Sequence, residues 1–122
     1  MMDYARRDRI LEPYFVDKEY FGGVRRFKGV PYSVMYTLAC EGFIDLGMAQ
    51  NFSPTISTFM LIMKNNPEMV VDGYVVSPRR SDVRVSVDGI SGKCNANDSK
   101  LLKYHYPDDY SYKNGVVRAW WD

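Results

Sequence analysis

Residues 53–88 read SPTISTFMLIMKNNPEMVVDGYVVSPRRSDVRVSVD, and a change of period along them decides the fold. Ser53 suits a helix N-cap and Pro54 the first helical position. Ile56, Phe59, Met60 and Met63 recur at i, i+3, i+4 and i+7, and Leu61 and Ile62 widen that face. The pattern predicts a helix over 53–66, stopped by Asn65, Asn66 and Pro67. From Met69 the period shortens. Val70, Val71, Tyr74, Val75 and Val76 are apolar on both faces, which places 69–77 inside a sheet. Val83, Val85 and Val87 then alternate with Arg84, Ser86 and Asp88, the pattern of a half-exposed strand. Ser77 to Asp82 between them is polar and rich in turn formers, so the two strands read as an antiparallel hairpin.

Upstream, Pro31 to Asp45 reads as a second helix. Ser33, Thr37, Glu41 and Asp45 form one narrow polar stripe, and Val34, Met35, Leu38, Ala39, Cys40, Phe43 and Ile44 make the rest apolar and buried. Gly42 weakens this helix and is a point where it ends early. Tyr14 to Val16 and Val24 to Phe27 read as short strands around Gly22-Gly23. Residues 1–12 read as a short helix ending before Pro13, with Tyr4 and Leu11 on one face and Arg6, Arg7 and Arg9 mostly elsewhere.

Downstream, Gly89 to Ser99 reads as loop. Leu101 to Tyr106 reads as a strand, although Leu101-Leu102 would equally close a short helix. Asn114-Gly115 is a strong hairpin signal. A two-residue turn there pairs Tyr112 with Val117 and Tyr110 with Ala119, and turns Ser111 and Arg118 to the other face. The expected fold is one α+β domain over residues 1–122. It has an antiparallel sheet of three to five strands, drawn from 69–77, 83–90 and 100–121, with two main helices on one face. Strands and helices do not alternate, which argues against a doubly wound fold.

The 122 residues carry 16 Lys and Arg against 15 Asp and Glu, a formal net charge of +1. That balance excludes a histone-like tail and an acidic disordered segment. Residues 31–68 hold only Lys64, Glu41, Asp45 and Glu68 as charged groups, so the middle of the chain is expected to supply most of the core. Cys40 and Cys94 fit no metal-ligand or redox spacing, and a reducing, cytoplasmic setting is expected. The charged N-terminus has no secretory pattern, and no apolar run approaches the ~18 residues of a membrane span.

Two groups of residues are candidates for binding. The first is Arg79-Arg80 with Asp82 and Arg84, where paired guanidiniums on a turn suit a phosphate or carboxylate. A solvated turn is the plainer reading. The second is Tyr104, His105, Tyr106, Tyr110, Tyr112, Trp120 and Trp121, mixed with Arg25, Arg26, Arg118 or Lys103. Such rings stack nucleic-acid bases, anchor protein partners or fill a core. Side chains alternate along a strand, so Trp120 and Trp121 cannot both face inward.

His105 is the only histidine; a catalytic role would need an orienting carboxylate such as Asp108 or Asp109. One histidine argues against a catalytic zinc, and Asp98, Asp108 and Asp109 lack calcium-loop spacing. No phosphate loop, dinucleotide fingerprint, GxSxG or HExxH occurs, so no cofactor or metal is expected. Cys40 reads as a packing residue, and Met60, Met63 and Met69 as core. The expected function is a non-enzymatic protein-interaction module, through a protein partner or self-association. The first alternative is nucleic-acid binding by the Arg79–Arg84 hairpin and the C-terminal aromatics, against which the near-neutral charge counts. The second is a small enzyme with an arginine anion clamp and His105 or a carboxylate as base.

Overall fold

The computed structural model describes residues 2–122. In chain order the elements are α1 (Tyr4–Leu11), a 3₁₀ turn (Glu12–Tyr14), β1 (Val24–Pro31), α2 (Tyr32–Cys40), α3 (Ile56–Asn65), β2 (Val70–Val76), β3 (Val85–Lys93), α4 (Ala96–Tyr104), β4 (Asp109–Lys113) and β5 (Val116–Trp120). The five strands make one sheet in the order β1-β2-β3-β5-β4, with every neighbouring pair antiparallel. This is the expected α+β class; besides the two main helices, α2 and α3, the short N-terminal helix α1 forms and α4 is added.

Both expected hairpins form. Val75 pairs with Val85 and Tyr74 with Ser86, and β2 lies between two strands as its apolar faces require. At the chain's end Tyr112 pairs with Val117 and Tyr110 with Ala119. Asn114 at φ 54 and Gly115 at φ 77 make the turn between them, a conformation these two residue types tolerate.

Three helices depart from expectation, each for a local reason. α2 stops at Cys40 rather than Asp45, because Gly42 turns to φ 81 and a Schellman cap closes. The Phe43 N–H donates to the Leu38 carbonyl at 2.9 Å and the Gly42 N–H to Ala39 at 3.1 Å. α3 starts at Ile56, capped by Thr55, whose hydroxyl accepts from the Thr58 N–H at 3.3 Å. Ser53 instead accepts from the Gln50 N–H at 2.9 Å and closes the turn before it. The strand expected over Leu101 to Tyr106 is the end of helix α4. Asn95 caps it by accepting from the Asp98 N–H at 2.8 Å, and Ser99 and Leu102 are buried one turn apart.

The loop expected over Gly89 to Ser99 is largely ordered as well. β3 runs on through Gly89 to Lys93, paired to β5. In the N-terminal region β1 is the only full strand, and Phe15 merely bridges to Phe27 beside it. Arg7 is fully buried rather than turned outward, and Cys40, expected to pack inside, is exposed.

One face of the sheet carries the core. Phe27, Val30, Val71, Val75, Val85, Val87, Ile90, Val117 and Ala119 form a single buried cluster. Leu11, Met35, Leu38, Phe59, Met63, Leu102 and Trp121 join it from the other side, and Met60 and Met69 belong to it as well. The core residues thus come from all four helices. No helix among the described residues is long and apolar enough to cross a membrane.

Candidate binding site on the open sheet face

Cross-strand register builds the opposite face of the sheet row by row, because side chains two apart share a face. Asp72 pairs with Gly89, Gly89 with Trp120, and Trp120 with Asp109, so these four span β2, β3, β5 and β4 in one line. The next row is Val70, Ser91, Arg118 and Ser111. The last is Lys93, Val116 and Lys113.

Gly89 leaves the floor of the first row bare. A Cβ placed on it would lie 3.5 Å from Trp120 Cδ1 and 3.6 Å from Asp72 Oδ2. The result is a groove of about 470 Å³, bounded by Lys28, Asp72, Asp109, Arg118 and Trp120. Trp120 is 43% exposed there, whereas Trp121 is 1% exposed. Alternation therefore operates as expected, and it removes Trp121 from any binding surface. Its indole N–H donates to the His105 carbonyl at 2.9 Å and its ring packs in the core.

Among the described residues, the ion pairs join other groups, and Lys28, Lys93, Lys113 and Arg118 enter none. Asp72 Oδ1 accepts only the Gly29 N–H, at 2.9 Å. Asp88 is the extra residue where β3 bulges, since Val87 pairs with Gly73 and Gly89 with Asp72. Burial, then the negative charges of Asp72 and Asp122, push its carboxyl up to about 6.

The arginine hairpin is a separate feature, in which one carboxylate, Asp82, ties two of the three guanidiniums. Arg80 Nε and Nη2 donate to the two Asp82 oxygens at 2.8 and 2.7 Å. Arg84 Nη1 reaches the same carboxylate at 3.1 Å, and its Nη2 donates to the Tyr74 hydroxyl at 3.2 Å. Tyr74 and Ser86 both donate to Gln50 Oε1, at 2.9 and 2.8 Å. The Arg80 bonds hold the Asp82 carboxyl below its ordinary range. Of the expected Arg79-Arg80 clamp, Arg80 is thus already engaged by Asp82. Arg79 stands apart, in a groove with Tyr4, Asp8 and Tyr20.

The cavity beside Arg84 and the groove at Trp120 share no lining residue. Tyr104 and Tyr106 are 77% and 76% exposed at the end of α4, and line neither. His105 is the C-cap of that helix and works through its backbone, donating to Leu102 and accepting from Trp121. No side-chain bond joins it to a carboxylate among the described residues. Nor does any group of three or more His, Cys, Asp or Glu side chains there have metal-holding geometry.

Of the expected site residues, the open face thus unites Arg118 and Trp120. It adds Lys28, Asp72, Gly89 and Asp109, which strand pairing alone brings in. Reading Gly89 to Lys93 as strand would have revealed Gly89 opposite Trp120. No protein family, characterised protein or solved structure matches the chain.

Proposed function

We propose that the protein is a non-enzymatic protein-interaction module that takes a polypeptide segment on its open sheet face. The observation that carries this reading is Trp120, half-exposed beside the bare Gly89 and between charges of both signs that enter no ion pair among the described residues. A Trp next to an Arg is the composition of an interface anchor. Unpaired Arg118 and Lys28 suit a partner's carboxylates, and Asp72 and Asp109 suit its cations. The same acids repel phosphates, so nucleic acid fits this open face poorly. Cys40 and Cys94 are both free thiols, which supports the expected reducing, cytoplasmic setting.

The test is selection from a displayed library of random peptides. Enriched peptides should bind the protein about 30-fold more weakly after Trp120→Ala, the loss typical of a central anchor. Arg118→Glu should change the charge pattern selected. Salt-sensitive binding to an oligouridylate, with no peptide enriched, would replace this reading by the nucleic-acid one.

A further inference from the structure

The sheet has two edges, and only one is covered. Along β1 the Val16 N–H donates to the Arg26 carbonyl at 3.0 Å and Phe15 bridges to Phe27. Along β4 no described group bonds the outer backbone.

The direction of that backbone follows from β5. The Trp121 N–H donates to the Asp88 carbonyl at 2.9 Å and the Cys94 N–H to the Gly115 carbonyl at 2.8 Å. Odd-numbered residues on this strand therefore turn their polar groups to β3. Bonding sides alternate along an antiparallel strand, so Val116, Arg118 and Trp120 bond β4. Their partners are Lys113, Ser111 and Asp109. Tyr110 and Tyr112 are left with N–H and C=O aimed away from the sheet. Such an edge is a template for another strand.

The sequence of β4 identifies the strand that fits. It reads Asp-Tyr-Ser-Tyr-Lys, which is its own reverse with acid and base exchanged. We propose that β4 pairs antiparallel with β4 of a second copy about a two-fold axis at Ser111, making one ten-stranded sheet. Tyr110 of each copy then exchanges both backbone hydrogen bonds with Tyr112 of the other. Asp109 of each faces Lys113 of the other. Ser111 meets Ser111 at the axis, where the non-bonded pairing brings side chains close and a small residue fits.

Outward groups must meet outward groups, which leaves only two other antiparallel two-fold registers, centred on Tyr110 or on Tyr112. Each leaves one end of the strand unpaired and matches no opposite charges. Asp109 and Lys113 lie on the open face and make no ion pair among the described residues. Pairing thus brings Lys113 of the second copy beside Asp109, at the rim of the Trp120 groove. This inference goes beyond the peptide-binding reading and stands on the β4 backbone, not on Trp120.

A charge swap tests it by sedimentation equilibrium of the full chain. Wild type should dimerise. Asp109→Lys and Lys113→Asp should each weaken the dimer by about tenfold, because each places like charges opposite at both symmetric sites. The double variant Asp109→Lys/Lys113→Asp should restore it. Hydrogen exchange should show the Tyr110 and Tyr112 amides becoming protected as wild-type concentration rises. A protein monomeric to millimolar concentration would overturn the proposal. So would a dimer indifferent to the single swaps, or a folded double variant that stays monomeric. Trp120→Ala should leave the dimer intact, so this proposal and the peptide-binding reading fail separately.

Discussion

The indole of Trp121 meets the ring of Phe59 edge-on, with centroids 5.5 Å apart and planes at 75°. That contact ties the last strand of the sheet to helix α3 through the core. Its neighbour Trp120 has no such role. Trp121→Ala should therefore cost about 3–5 kcal/mol of stability, the range for emptying a buried aromatic site. Trp120→Ala should stay within about 0.5 kcal/mol, as for a surface position. Urea denaturation of the two variants checks the contrast.

The Asp88 carboxyl gives a pH dependence of known sign. Its pKa rises from 3.8 to about 6 in the fold, so the folded state holds the proton more tightly than the unfolded chain. The stabilisation is fully present below about pH 4 and is lost as the pH rises through about 6. Asp88→Asn removes this dependence and the repulsion from Asp72 and Asp122. The variant should gain on the order of 1 kcal/mol over wild type at pH 7.5. The full shift would give more, but the half-buried group is screened by solvent. The gain should vanish near pH 4, as measured by denaturation at both values.

At the other end of the molecule, Tyr20 joins a buried network on α1. Its hydroxyl donates to Asp8 Oδ2 at 2.6 Å and accepts from Arg7 Nη2 at 2.8 Å. Arg7 Nη1 has no partner among the described residues, so the guanidinium depends on the bonds it has. Tyr20→Phe should cost about 1–3 kcal/mol at neutral pH, because it strips partners from two other groups.

Burial, with the bond to Asp8, also pushes the Tyr20 phenol from 10.0 up to about 12. Its share of stability is complete below pH 10 and lost as the pH rises toward 12. Wild type should thus lose more stability than Tyr20→Phe over that interval, by on the order of 1 kcal/mol after solvent screening. Alkaline denaturation followed by circular dichroism reads the difference.

Two glycines separate steric from conformational cost. A Cβ on Gly73 would lie 1.9 Å from the Ser86 carbonyl oxygen and 2.8 Å from Phe27 Cζ. Backbone cannot step aside as a side-chain tip can, so β2 and β3 must part. Gly73→Ala should cost about 3 kcal/mol or more. At Gly115 nothing lies within 4 Å, and the cost is that of its positive φ. Gly115→Ala should cost about 1 kcal/mol. Thermal denaturation of both variants tests the ranking.

What was legible in the sequence was local. Asn114-Gly115 sets the register of Tyr112 on Val117, and strand alternation separates Trp120 from Trp121. Both need only turn chemistry and a period of two. The region from Gly89 to Tyr104 departs from its local sequence pattern because most of its cues lie elsewhere in the chain. A Cβ on Gly89 would only touch Trp120 and Asp72, whereas at Gly92 the backbone of Glu68 and Met69 passes too close for one. Those neighbours come from other strands and other loops. The Asn95 cap was a local cue, overlooked beside the strand-like Tyr104-His105-Tyr106. The site was half legible for the same reason. Trp120 and Arg118 follow from one hairpin, but Asp72 and Lys28 join them only through the order of the sheet. The burial of Arg7 is not legible locally because Tyr20, its second partner, reaches it only in the folded chain.

The two cysteines divide by accessibility. Cys40 is exposed at the end of α2, whereas Cys94 is buried after β3, and burial pushes its thiol up to about 11. A thiol-reactive dye at neutral pH should therefore attach to Cys40 within minutes and leave Cys94 untouched. Native protein then carries a single-site label without mutation. The slow second modification, at Cys94, times how often the end of β3 comes away from the Asn114-Gly115 turn, and so makes the chain a clock for its own local opening.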